Sequence, residues 1–542
     1  MTTEESILLT APGACREGSG APATYIIPAD NLQEVATALR NRTEEPFELL
    51  VSLTGIDNED SLGVIYELAT ASFGELIILK CFTSNLESPS FNTVYHLWES
   101  AFLNERELFG LMGIRFIDHP DMRRLFMRSD WNGYPLRKNY DASPQRNPVP
   151  LIHEPNNDIL TRLTLNQQGE IETSESMQFE RKEYVVNIGP QHPATHGVLH
   201  FRVSIDGEII KKVDPHLGYI HRGIEKMCET MTYPQWLHLT ERLDYLSAHT
   251  NRSAACMCIE NALGLEIPER VLYIRTVMDE LSRIASHLLG WSCMCMDMGA
   301  LTAFIYGMRD REKILDMFEQ TCGGRLIPNY SVIGGLMHDL HPDFQKQVKE
   351  FIVYLRGILH EYHDIFTHNI IARERMIGIG ILTKADAISH AVTGPVGRAS
   401  GFSCDVRKYR PYGVYDKVQF KEILRTEGDT FARYMNRLDE IEESLSILEQ
   451  LIENIPQGPV SVKTKPVIRL PEGEYRQWVE AARGLFEVYI ASRGEKTPWR
   501  VKFRSPGLSL ISVVNTLAEG EKIADLISIG GSLDYVVPDI DR

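Results

Sequence analysis

The run LLGWSCMCMDMGALTAFIYGM, Leu288 to Met308, decides the fold class. It is apolar and close to the length of about 20 residues that a helix needs to cross a bilayer. Asp297 stands at its middle, however, and Gly290, Ser292, Gly299 and Thr302 dilute the apolar pattern. A carboxylate at that depth in lipid is costly, so the run reads as a pair of buried helices interrupted near Asp297. Two roles for Asp297 stay open. It could cap the helix that follows, or it could be a buried carboxylate held by a histidine or arginine, because an unpaired buried charge costs several kcal/mol.

Helical periodicity continues on both sides of this run. Val277, Leu281, Ile284 and Leu288 share one face, as do Phe344, Val348, Phe351, Leu355 and Leu359, and then Leu438, Ile441, Leu445, Leu448, Ile452 and Ile455. A mainly helical domain is expected over residues 182–542. A short strand-rich entry from Lys182 to Val213 leads into it, and Pro- and Gly-punctuated short segments after Pro456 fold back on the helices.

The N-terminal part has a different pattern. Asp30 or Asn31 can cap a helix with Leu32, Val35, Ala36 and Leu39 on one face. Strand-like runs follow at Phe47–Thr54, Leu62–Ala69 and Glu75–Phe82, then an amphipathic helix near Thr93–Met112. Residues 1–140 are thus expected to form a small α+β domain. Residues 141–181 carry Pro, Asn, Gln and Ser without a sustained apolar period and read as a linker.

The 542 residues carry 74 acidic and 56 basic side chains, a formal charge of -18. A surface that grips nucleic acid throughout is therefore excluded. Nine cysteines are too few for a disulfide scaffold, and no cationic, apolar leader opens the sequence, which together suggest a reducing, cytoplasmic setting. The pairs Cys256/Cys258 and Cys293/Cys295 are C-x-C, and residues two apart on a helix diverge, so packing is expected of them rather than metal ligation. No Walker loop, dinucleotide fingerprint or nucleophile elbow is present, so no nucleotide site is expected in this chain.

In GPQHPATHGVLH (189–200), His192, His196 and His200 recur every four residues, as ligands on a helix would. Pro193 and Gly197 interrupt the segment, and HFRVSIDG alternates like a strand, so the three imidazoles do not share a helix face. Turn-stabilising histidines and a proton-handling imidazole in a loop both remain open. HRGIEKMCE (221–229) and ERLDYLS (241–247) could each be a solvated helix face.

GPQHPATHGVLH, GYIHRGIEK, ERLDYLSAH, DELSRIASHLL and SLDYVVPDIDR together resemble the D subunit of proton-pumping NADH:quinone oxidoreductase, respiratory complex I. ERELFGLMGIRFIDHPDMRRL with DWNGYPLRKNY resembles the C subunit, so the whole is similar to the fused C/D subunits of some bacteria. The D-like half is also similar to the large subunit of nickel-iron hydrogenases, whose nickel needs four thiolates from two C-x-x-C pairs. Here Asp244, Ser247, Val536 and Asp539 stand where those cysteines belong, so no metal is expected in this chain.

The resemblance implies that the emptied metal cavity serves as a quinone headgroup site. His196 and Tyr245 would reach the two carbonyls, Asp297 would pair with His196, and His192 would lie in the same loop. Arg222 would face the terminal iron-sulfur cluster of an adjacent B-like subunit; its alternative role is an ion pair with Glu225. No cofactor would be bound by the chain itself, with menaquinone or ubiquinone as substrate. The implied partners are the B-like subunit, the I-like ferredoxin subunit and the membrane-arm H- and A-like subunits, on the cytoplasmic side of the bacterial inner membrane. A related complex with another electron donor, or a non-catalytic scaffold, are the alternatives. Two positions depart from the family pattern: Ile327 replaces a histidine expected beside the cluster, and Gly110 replaces an aspartate.

Overall fold

The face defined by Leu32, Val35, Ala36 and Leu39 is buried in the helix Leu32–Arg40, as its spacing predicts. A 3-10 turn, Ala29–Asn31, precedes this helix, so no side chain from Asn31 caps it. The computed structural model describes residues 2–141, 143, 158–180, 182–192 and 197–542.

Among these residues, one five-stranded sheet runs in the order Cys15–Glu17, Ala23–Ile26, Leu76–Thr83, Leu62–Ala69, Leu49–Asp57. Its last three strands are antiparallel neighbours, with Leu62 opposite both Thr83 and Asp57. Each side chain along a strand alternates between faces. One face sends Leu53, Leu62, Val64, Leu68, Ile77 and Leu79 onto the helix Leu32–Arg40. The other sends Leu49, Val51, Ala69 and Leu76 onto Ile388, Phe402, Val406 and Leu485 of the C-terminal half. Both faces are therefore covered, which is why every residue of Leu49–Asp57 is buried.

The helix expected near Thr93–Met112 begins only at Ala101. The cause is Glu105, whose buried carboxylate accepts from Thr93 Oγ1 at 2.6 Å and from Val94 N–H at 3.0 Å, fixing that segment as a turn. Within residues 141–181, read as linker, Ile159–Leu165 and Ile171–Met177 pair as an antiparallel hairpin. Its second strand is almost wholly exposed, so it carries no apolar period for sequence reading to find. Residues 142, 144–157 and 181 of the same span lie outside the described residues.

In the C-terminal half, Tyr184–Ile188, His200–Asp206 and Ile209–His216 form a three-stranded sheet. The helices Glu269–Asp297, Leu301–Cys322, Phe344–Tyr362 and Thr430–Ile452 build one apolar core. The first two are the interrupted pair expected at Leu288–Met308. Their break falls at Gly299, whose φ of 87° is a conformation open to glycine without strain. Trp291 stacks on Tyr362 at 4.2 Å and donates to Tyr434 Oη at 3.0 Å, contacts of a protein interior rather than a lipid face. No helix among the described residues is long and apolar enough to cross a membrane.

Beyond Pro456 the structure departs from the expected short segments. Gly473–Ala481, Gly484–Ser492 and Arg500–Arg504 form a three-stranded antiparallel sheet. This sheet joins the two halves: Arg500 and Arg504 donate to the carbonyls of Gly55 and Val51, and Lys80 pairs with Glu474 at 2.6 Å. Beside it, Glu107 of the N-terminal half is shared by Lys502 and Arg542.

Candidate functional site

The segment ERLDYLS forms a tight turn between the helices Tyr233–Thr240 and Ala248–Leu263. Asp244 and Ser247 are buried in it. Asp244 accepts from the Leu246 N–H at 3.1 Å, which closes the turn and carries Tyr245 across its top. Tyr245 is half-buried, and no hydrogen bond from its hydroxyl to another described residue is present. Burial pushes the phenol above its usual range, and the Arg483 guanidinium draws it partly back.

Arg483 is the residue that sequence reasoning missed. It lies at the turn between Gly473–Ala481 and Gly484–Ser492 and is 1% exposed. Its Nη1 donates to both Asp244 oxygens, at 3.1 and 2.9 Å, and to Ser286 Oγ at 2.9 Å. Its Nη2 donates to Asp534 Oδ1 at 3.1 Å and its Nε to the Asp534 carbonyl at 2.5 Å. A lone arginine in an Ala-Ala-Arg-Gly turn ordinarily lies in solvent, so only the two flanking strand-forming runs could have signalled its burial.

Asp244, Ser247, Val536 and Asp539 are all buried. Asp539 Oδ2 accepts from Gly507 N–H at 3.1 Å and from Ser505. Burial and the nearby Asp244 charge push its carboxyl up to about 6. Among the described residues, no group of three or more His, Cys, Asp or Glu is arranged to hold a metal ion.

Asp297 ends the long helix Glu269–Asp297 and is half-buried. The residue flanking the next helix is Ala300, so Asp297 is not its cap. Its carboxylate lies over Gly531, where an added Cβ would sit 3.3 Å from Oδ2. Cys293 lies one turn earlier in the same helix. Burial pushes its thiol up to about 11, reinforced by Asp534 and Asp297, and the same thiol acts on Tyr245. Tyr245, Cys293, Asp297, Asp534 and Arg483 therefore share one electrostatic neighbourhood.

His196 lies outside the described residues. Gly197, the next residue in the chain, adopts φ 151°, and a Cβ there would come within 2.7 Å of Val537 Cγ2. Gly197 thus lies beside the same C-terminal segment that carries Asp534 and Asp539. His192 is exposed. His200 is turned elsewhere, in reach of Tyr219 Oη at 3.1 Å and Asn187 Oδ1 at 3.2 Å.

Arg222 is exposed, and its alternative partner is taken. Glu225 is buried and paired with Arg500 at 2.7 Å, with Lys502 and Arg542 each at 3.8 Å. Elsewhere, Ser331 Oγ, the His249 ring and Asp279 lie in line at 3.0 and 2.7 Å. All three are buried, so this row braces two helices and a strand rather than meeting a substrate.

Comparison with known proteins bears on both halves. The family described as respiratory-chain NADH dehydrogenase, 30 Kd subunit, matches residues 25–146, and the 49 Kd family matches residues 297–469 and 463–542. The C/D subunit of NADH-quinone oxidoreductase from Bacteroides fragilis is 59% identical over 530 residues, covering 96% of this chain and 99% of that protein. The chain belongs to the fused C/D subunits of NADH-quinone oxidoreductase. The C/D subunit from Phocaeicola vulgatus is 58% identical over 95% of this chain and 99% of that protein. The D subunit from Geobacillus kaustophilus is 43% identical, covering 67% of this chain and all of that protein. The motifs quoted for a C-like half followed by a D-like half thus led to the correct family.

Proposed function

We propose that this chain, as a peripheral-arm subunit of NADH-quinone oxidoreductase, supplies the headgroup end of the quinone site, with Tyr245 and His196 as the groups that meet the two carbonyls. Two-electron reduction of a quinone makes both oxygens strongly basic, and each then takes up a proton. A phenol and an imidazole are suited to donate hydrogen bonds first and protons second. Asp297 pairs with His196 and keeps the imidazole charged and oriented. Arg222 faces the partner's terminal cluster, where a permanent positive charge favours the reduced cluster. The C-like half braces the site and carries partner contacts, and membrane attachment comes through partner subunits on the cytoplasmic side.

The observation that carries this reading is Tyr245: a half-buried residue whose hydroxyl makes no hydrogen bond to a described residue, on a turn whose neighbour Asp244 is held by Arg483. The hydroxyl is therefore open to a ligand while the turn that carries it is fixed. Tyr245→Phe in the intact complex tests it. The reading requires quinone reduction to fall while electron transfer from NADH to a water-soluble acceptor upstream of the site persists. Unchanged quinone reduction would support the scaffold alternative instead.

A further inference from the structure

We infer that Arg483 is the positioning residue of this site: its guanidinium locks the Tyr245 turn, the Asp534 turn and the helix Glu269–Asp297 in one register, so that the Tyr245 hydroxyl is presented to substrate. The inference rests on the quinone-site reading above and adds a residue that the motifs do not contain.

The geometry supports it in three ways. First, the donor pattern matches the task. Three nitrogens serve Asp244, Ser286 and Asp534, which belong to three separate segments. A planar fork of fixed donors transmits position between such segments, whereas a single ammonium cannot span them. Second, the root of the side chain is itself fixed. An added Cβ on Gly394 would come within 2.4 Å of the Arg483 carbonyl oxygen, and Leu485 N–H donates to Thr393 Oγ1 at 3.0 Å, so the turn is pressed against Thr393–Gly394. Third, the anchored groups meet the site directly. Asp244 is adjacent to Tyr245 in the chain, and Asp534 lies against Gly290, where a Cβ would stand 3.1 Å from its carboxylate. Asp534 adopts φ 57° and is held from the other side by Arg437 Nε at 3.6 Å. Its position is thus set by two guanidiniums rather than by backbone preference.

A simple structural brace would have the same contacts, so the test must separate the two through Tyr245. Arg483→Lys keeps the charge and loses the fork. In the purified intact complex, we expect NADH oxidation by a water-soluble acceptor to persist and kcat for quinone to fall by about tenfold to a hundredfold, with KM within about twofold, as misplacement of a reacting group produces. In a Tyr245→Phe background the same change is expected to cost nothing further, because the group it positions is gone. Equal losses from Arg483→Lys with and without Tyr245 would overturn the inference and leave the quinone reading intact. Unchanged quinone reduction in Tyr245→Phe alone would remove both. If Arg483→Lys does not assemble, Ser286→Ala removes one acceptor and leaves both ion pairs. A smaller fall in kcat that likewise vanishes in Tyr245→Phe is then expected, and a loss that persists there contradicts the positioning role.

Discussion

Arg483 donates from a single nitrogen to both carboxylate oxygens of Asp244, at 2.9 and 3.1 Å, and both side chains are buried. The fixed guanidinium thus sets a permanent positive charge against a buried carboxylate.

Asp539, near Asp244, has no guanidinium within ion-pair range among the described residues, and its Oδ1 has no hydrogen-bond partner there. Burial and Asp244 raise its carboxyl to about 6, above the unfolded value near 3.9. Its contribution is therefore most favourable below about pH 4, and it is lost as the pH rises through 6. Asp539→Asn is expected to stabilise the purified chain at pH 7, on the order of 2–3 kcal/mol, with the gain vanishing below about pH 4. Thermal unfolding against pH measures it.

Glu225 shows the opposite sign. Burial raises its carboxyl, but Lys502, Arg500 and Arg542 outweigh burial and hold it at about 2. The stabilisation is present above the unfolded value near 4.3 and is lost as the pH falls toward 2. Glu225→Gln is expected to lower stability at neutral pH by about 3 kcal/mol. The gap between variant and parent should close in acid. A gap independent of pH would refute the assigned pairing.

Gly197 follows His196 in the chain. At φ 151°, with Val537 Cγ2 at 2.7 Å from an added Cβ, Gly197→Ala must shift the backbone at Gly197 or the C-terminal segment. Quinone reduction is expected to fall severalfold or more, while complex assembly, read by gel filtration, is retained.

Ile327 lies half-buried in the loop before Asn329, where the family resemblance places a histidine near the partner's cluster. An aliphatic side chain takes up no proton with the electron. The cluster is expected to have a lower potential that depends little on pH, which suits a low-potential quinone such as menaquinone, and Ile327→His is expected to introduce a pH dependence. A redox titration in which the parent's potential already falls steeply with pH would refute this.

Much of the scaffold is legible in the sequence because its periodicity is strong. The helix Leu32–Arg40, the strands Leu62–Ala69 and Leu76–Thr83, and the break near Asp297 follow from one-face spacing, strand-forming runs between turn-rich stretches, and a misplaced carboxylate. The sheet of residues 473–504 is less legible, because Pro471, Gly473, Gly484, Gly494 and Pro498 punctuate it into pieces that read as short segments. The site divides in the same way. Tyr245 and Asp297 come from motifs, whereas Arg483 and Cys293 join the site only through the fold, which brings together segments far apart in the chain. An arginine in a turn and a cysteine in an apolar helix each have an ordinary explanation until their neighbours are known.

The most direct measurement is a structure of the intact complex with quinone bound. The account predicts one headgroup carbonyl oxygen within hydrogen-bond distance of Tyr245 Oη, about 2.7–2.8 Å, with Asp244 still paired to Arg483. A headgroup seated away from Tyr245 under turnover conditions, with the hydroxyl bonded to protein instead, would contradict it.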